Sequence, residues 1–229
     1  MPSSISIISS MATRQLLADL VAKFQQTSAQ QVAVESVGGV DAARRVQAGE
    51  AFDVVILAAN AIGQLTEAGK IVPGSRVDLV KSGVSIAVRA GAPQPDIGSE
   101  EAVKQAVLSA RSLSYSTGPS GVHLIKLFER WGIVDTIKSR IVQAPPGVPV
   151  GSMLANGEVE LGFQQLSEMI HMAGIEVLGP LPPAIQIITT FSAGLAATST
   201  RAAAVRTLLD FMISPAALEA KLRNGMEPA

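Results

Sequence analysis

Along the chain, short runs of apolar residues alternate with segments in which apolar positions return every third or fourth residue. The first run, residues 4–9, reads as a strand. After it Leu16, Leu17, Leu20, Val21 and Phe24 share one helical face, so a helix begins at Thr13. The same grammar predicts strands at 32–36, 52–58 and 84–88 and helices at 41–48 and 62–68, with Gly49 and Gly69 closing the helices where a left-handed residue is favoured. Further on come a helix at 100–109, a strand at 112–116, a helix running to about Trp131 and a strand at 141–143. A rigid proline-rich loop at 145–149 leads to a helix at 150–155, a strand at 159–163, a helix at 166–172 and a strand at 176–178. Residues 185–197 form a long extended segment, and helices at 202–212 and 215–223 end the chain. Strands separated by helices predict an α/β fold.

Two extended stretches, 81–89 and 185–197, bracket a block with strands and helices of its own. If both carry the chain across, residues 1–82 and 190–229 form one discontinuous lobe and residues 83–189 the other. Each lobe is then expected to be a mostly parallel sheet flanked by helices, with the two crossover strands as a hinge.

Composition narrows the function mainly by exclusion. A length of 229 residues suits one large domain or two lobes, each with a core. Lysine plus arginine number 18 against 19 acidic residues, and no basic run offers a footprint for nucleic acid. No apolar run approaches the ~18 residues of a membrane span, so no membrane insertion is expected. The absence of cysteine excludes disulfides, cysteine-ligated zinc, iron–sulfur clusters and thiol nucleophiles. His123 and His171 lack paired ligand spacing, and no P-loop, dinucleotide fingerprint or Gly-x-Ser-x-Gly elbow occurs. No metal or cofactor is expected, and the chain is expected to be a monomer. Met1-Pro2-Ser3-Ser4 has no signal-peptide character. A periplasmic location is expected if Met1 replaces a removed signal, and a cytoplasmic one otherwise.

Several strand-to-helix loops share a chemistry of small, hydroxyl and glycine residues. They are Ser9-Ser10-Met11-Ala12-Thr13, Val37-Gly38-Gly39-Val40, Thr117-Gly118-Pro119-Ser120-Gly121, Pro146-Gly147-Val148 and Gln164-Gln165. A helix N-terminus presents N–H groups without intrahelical partners and a partial positive charge, so it can hold an anion without a formal cation. Each loop could merely cap its helix, since serine, threonine and glycine are favoured there. The set as a whole points to a small anion, because capping alone does not require so many adjacent polar turns.

These residues resemble the periplasmic molybdate-binding proteins of the type II periplasmic-binding-protein fold, over essentially the whole chain. The resemblance rests on Ser9-Ser10-Met11-Ala12-Thr13, on Ala42-Ala43-Arg44-Arg45-Val46-Gln47-Ala48-Gly49-Glu50 before Phe52-Asp53-Val54-Val55-Ile56, on Pro119-Ser120-Gly121 and on Glu160-Leu161-Gly162-Phe163. It implies that Ser10 is the first ligand serine, flanked by Ser9, Met11 and Thr13. The family's second, serine-rich turn falls on Gly38 and Gly39, so a hydroxyl is lost there. Backbone donors are implied at Ser120, beside Thr117, and at Gly147 or Val148. The family's ligand tyrosine falls near Gln165, next to Gln164. With hydroxyls replaced by glycine and an amide, a planar carboxylate competes with a tetrahedral oxyanion.

The function implied is a small-anion substrate-binding protein that closes over its ligand between the lobes and delivers it to an ABC transporter permease. The alternative is an isomerase, because aconitate isomerase is similar to this family and shifts a double bond by allylic proton transfer. Glu35, Tyr115 and His123 are the residues able to move a proton near the loops. Arg14, Arg44 and Arg45 are the cations that could meet several carboxylates.

Overall fold

The computed structural model describes residues 4–145 and 147–229; Met1-Pro2-Ser3 and Pro146 of the proline-rich loop lie outside the described residues. The chain opens with β1 (Ile5–Ser10), α1 (Arg14–Thr27), β2 (Val32–Val37), α2 (Gly39–Gln47), β3 (Val54–Ala58), α3 (Ala59–Glu67) and β4 (Val77–Arg89). It continues through α4 (Glu100–Ser109), β5 (Leu113–Tyr115), α5 (Pro119–Arg130), α6 (Val134–Ile137), α7 (Val150–Ala155), β6 (Leu161–Gln165), α8 (Leu166–Met169) and β7 (Ile175–Pro180). It ends with β8 (Ile188–Leu195), α9 (Ala202–Ile213), α10 (Leu218–Arg223) and β9 (Glu227–Pro228).

The chain divides into two compact units, one made of the residues up to Ser82 with Thr190–Ala229 and the other of Gly83–Thr189. Strands β4 and β8 each run from one unit into the other. In the first unit β1 is parallel to both β2 and β3, and β8 is antiparallel to β3. Strand β3 is buried along its whole length, which is why it reads as an unbroken apolar run. Ile5, Ile7, Val54 and Ile56 pack with α1, α9 and α10, while Ile8, Val55 and Leu57 pack with Ala42, Val46, Ile62 and Leu65 of α2 and α3. Gly49, at φ +93°, follows α2 in the left-handed conformation its position predicts.

In the second unit β5 and β6 are parallel, and β4 is antiparallel to β6 on one side and β7 on the other. This sheet is mixed where a mostly parallel one was expected, because the crossing strand sits between its neighbours and runs against both. Val84, Ile86, Leu113, Tyr115, Leu161 and Phe163 pack under α4 and α5. The opposite face, with Ala87, packs against Val150, Met153 and Leu154 of α7. Several short features depart from the expected pattern, the unforeseen α6 among them. Residues 141–143 make a single bridge from Ile141 to Leu113, α8 stops at Met169, and β9 pairs with β4 at Val80 and Lys81. Elements this short carry too few residues for a periodic signal.

Asp53 ties the first unit together. Its Oδ2 accepts from Ser6 N–H at 2.9 Å and Ser6 Oγ at 3.1 Å, and its Oδ1 accepts from Ser199 Oγ at 2.6 Å. Burial alone would raise its pKa, but these bonds and the nearby Arg201 outweigh it and hold the carboxyl below the ordinary carboxylate range. A depressed carboxylate stabilises the fold above its unfolded pKa and loses that contribution as pH falls through the folded value. Asp53→Asn places an amide donor against the Ser6 and Ser199 donors. It should cost about 2–3 kcal/mol at pH 7, with the gap to the parent protein closing toward pH 3, as read by chemical denaturation across that range.

Candidate functional site

In the first unit the chain leaves β1 at Ser10 and makes one 3₁₀ turn, Met11–Thr13, before α1. Alternation along β1 puts Ser9 and Ser10 on opposite faces. Ser9 is fully buried and its Oγ lies 2.7 Å from Ser36 Oγ on β2. Thr13, also fully buried, donates its hydroxyl to the Ser10 carbonyl at 3.1 Å, which braces the turn. Met11 is half-buried. Ser10 is different: it is only 6% exposed, yet its Oγ has no hydrogen-bond partner among the described residues. A buried hydroxyl left without a partner costs roughly 1–3 kcal/mol, so its retention calls for an explanation.

The start of α2 lies beside it. Gly38 is the N-cap residue and supplies no side-chain cap, and a Cβ at Gly39 would lie 3.5 Å from Ser10 Cβ. The first turn of this nine-residue helix therefore offers N–H groups beside an unpartnered hydroxyl. Two arginines of this region, Arg44 and Arg45, are engaged by acidic neighbours. Arg45 is held between Glu35, at 2.5 and 3.0 Å, and Glu50, at 2.7 and 2.5 Å, with its guanidinium 5.6 Å from the Phe52 ring centroid. Hydrogen bonding from Arg45 holds the Glu35 carboxyl below the ordinary range. Arg44 pairs with Asp41 at 2.5 Å, and Arg14 is exposed.

The second unit carries two of the loops in which the sequence resemblance implies backbone donors. At the first, α5 begins without a side-chain cap, and because Pro119 has no N–H, the amide of Ser120 is the first the helix can offer. Ser120 is buried with its Oγ 3.3 Å from Ser116 Oγ, whereas Thr117 is exposed. Gly121 is dictated by crowding: a Cβ there would sit 1.9 Å from the Ser116 carbonyl oxygen. At the second loop Gly147, at φ +80°, and Val148 are exposed, and the Val148 N–H is already turned inward onto the Pro145 carbonyl at 3.0 Å. Gly147 is thus the better placed of the two implied backbone donors.

Both glutamines at the end of β6 are buried. Gln165 donates Nε2 to Thr189 Oγ1 at 2.9 Å. Gln164 accepts the Val150 N–H, the first of α7, at 2.9 Å and donates Nε2 to Glu168 Oε2 at 2.8 Å. Burial pushes the Glu168 carboxyl up to about 7, with the Gln164 bond opposing it. Ser85, across the strand pair from Gln164, has a buried Oγ with no partner among the described residues.

Neutral donors at strand ends and helix starts, in an α/β fold of two units, are the arrangement of a solute binder. The chain matches the family described as bacterial extracellular solute-binding protein over residues 5–227. It belongs to that family. Aconitate isomerase from a Pseudomonas species is 38% identical to this solute-binding protein over 187 residues, 80% of this chain and 70% of its relative. Among solved structures, the periplasmic molybdate-binding protein of Azotobacter vinelandii superposes with a TM-score of 0.82 at 19% identity, covering 99% of this chain and 100% of that one. The sulfate-binding protein SubI of Mycobacterium tuberculosis gives 0.79 at 16% identity, over 99% and 87% of the two chains. The fold is the two-lobed type II fold of periplasmic binding proteins.

The proton-transfer candidates stand in three different surroundings. Glu35 is exposed and bonded to Arg45, and His123 is exposed on α5. Tyr115 is 5% exposed in the core, edge-on to Phe128 at 6.4 Å, and burial raises its pKa. Glu168 is the group that sequence reasoning passed over. Its contact with Gln164 crosses from strand β6 to helix α8, so no helical spacing in the sequence signals it.

Proposed function

We propose that this protein binds a small anion, an oxyanion or a carboxylate, through hydroxyl and backbone N–H donors rather than through formal cations. The observation that carries the reading is the buried, unpartnered Ser10 hydroxyl beside the uncapped start of α2. The engagement of Arg44 and Arg45 by acidic neighbours supports the same reading, since it leaves neutral groups to meet the ligand. The donors named at Ser120 and Gly147 extend the set in the second unit. A periplasmic location accords with the periplasmic molybdate-binding protein that shares the fold, and delivery to an ABC transporter permease with the substrate-binding domain of a molybdenum ABC transporter that shares it too. A thermal-shift screen with molybdate, tungstate, sulfate and di- and tricarboxylates tests the reading. The cognate anion at about 100 times its Kd should stabilise the protein by about 2.7 kcal/mol. If no anion in the screen shifts the transition, the reading is wrong.

The 38% identity to an aconitate isomerase supports a second reading, in which a bound unsaturated tricarboxylate loses a proton from one carbon and regains one at another. Incubation with trans-aconitate in deuterated water separates the two. Deuterium entering the recovered carboxylate would establish turnover, and its absence alongside thermal stabilisation by the same compound would establish binding alone.

A further inference from the structure

We infer that Glu168 is a positioning residue for the donor loop before α7, acting through Gln164. The inference rests on the anion-binding reading above for the purpose of that loop, and on the side chains themselves for the linkage.

Gln164 is 2% exposed and uses both ends of its amide. Its Oε1 accepts the N–H that opens α7, and its Nε2 donates to Glu168 Oε2. An amide can be turned end for end with little change of shape, so something must decide which end faces the Val150 N–H. Both neighbours set it: a Glu168 carboxyl oxygen accepts from the NH₂ group, while the Val150 N–H only donates and so takes Oε1. That bond fixes where α7 begins, and with it the turn at Gly147, Val148 and Pro149. The first turn of a helix favours a glutamate in any case, and here Glu168 is in addition half-buried where α8 packs on β6.

The charges around it are few. Helix α8 packs on β6 and β7. Strand β6 and helix α7 carry no charged residue. The charged residue of β7, Glu176, is exposed and bonded by Gln94 Nε2 at 2.5 Å, while His171 beyond α8 and Arg89 at the end of β4 are exposed. A carboxyl whose ionisation burial delays to about 7 is thus met by the Gln164 amide. The sign follows from the raised value. Between the ordinary carboxylate range and about 7 the folded protein binds more protons than the unfolded chain, so stability falls as pH rises across that window. An anion bound at the neighbouring loop adds like charge, so its affinity should fall in the same direction.

The test compares the full chain with Glu168→Gln and Glu168→Ala. Amide hydrogen exchange over residues 147–155, read at one pH, should be at least about tenfold faster in the alanine variant, while the glutamine variant, whose carbonyl can still accept from Gln164, should stay near the parent. The affinity for the most stabilising anion of the screen should weaken about three- to tenfold from pH 6 to pH 8 in the parent and stay flat in Glu168→Gln. Unchanged exchange in Glu168→Ala overturns the inference, and so does a pH slope that survives in Glu168→Gln. If no anion binds the parent at any pH, the functional reading fails, and the exchange comparison by itself decides the role of Glu168.

Discussion

Ser10→Ala should weaken anion binding about 10- to 100-fold while leaving the unliganded protein as stable as before, or slightly more stable. The two effects separate because of what the hydroxyl does in each state. In the unliganded protein Ser10 Oγ is buried with no partner among the described residues, so removing it relieves a desolvation cost and breaks no bond. In the complex it would donate to an anion, and hydrogen bonds to charged groups contribute about 1.5–3 kcal/mol. The neighbouring hydroxyls make the contrast sharp. Ser9 is bonded to Ser36, and Thr13 to the Ser10 carbonyl, so alanine at either position should lower stability as well. Isothermal titration and a denaturant melt on the three variants would show whether Ser10 alone separates binding from stability.

Gly121→Ala should be the most damaging single methyl group in the second unit. Its Cβ would meet the Ser116 carbonyl oxygen at 1.9 Å and a Tyr115 ring carbon at 3.1 Å. The first of these is backbone, which cannot swing aside as a flexible side chain can. Either α5 shifts at its start or the turn from Ser116 to Ser120 is pushed outward, breaking the contact between those two hydroxyls. Overpacking of this kind costs about 3 kcal/mol, which for a chain of this size lowers Tm by roughly 6–12 °C. Gly118→Ala is the control. Its Cβ would be 3.7 Å from Ser116 Oγ, an ordinary contact, and its φ of −75° suits any residue, so its Tm should match the parent. Equal melting of the two variants would show that the turn yields freely and that its geometry is not set by Gly121.

Much of this architecture is legible before any coordinates. The faces of α1 follow from Leu16, Leu17, Leu20, Val21 and Phe24, all of which are buried. Strand β3 is buried on both sides and reads as an apolar run for that reason. The donor loops are also legible, because small and hydroxyl residues at strand ends have a local physical meaning. What escapes the sequence is pairing across elements. Whether Arg45 faces a ligand depends on Glu35, ten residues away on β2, and Glu50 beyond the end of α2, and only the packing of helix on sheet brings all three together. Glu168 escapes for a related reason. In a four-residue helix there is no periodicity to say which way a side chain points, and its burial is set by β6 and β7 rather than by its own segment. The proton-transfer candidates illustrate the converse, since Tyr115 sits next to a donor loop in sequence but alternation turns it into the aromatic core with Phe128 and Phe163.

The most direct measurement is isothermal titration of the full chain and of Ser10→Ala with the anion that raises Tm most. Saturable binding of one anion per chain, lost or weakened at least about tenfold in a variant that melts like the parent, is the predicted result. Binding that Ser10→Ala leaves unchanged, or no saturable binding of molybdate, sulfate or any di- or tricarboxylate, would contradict it.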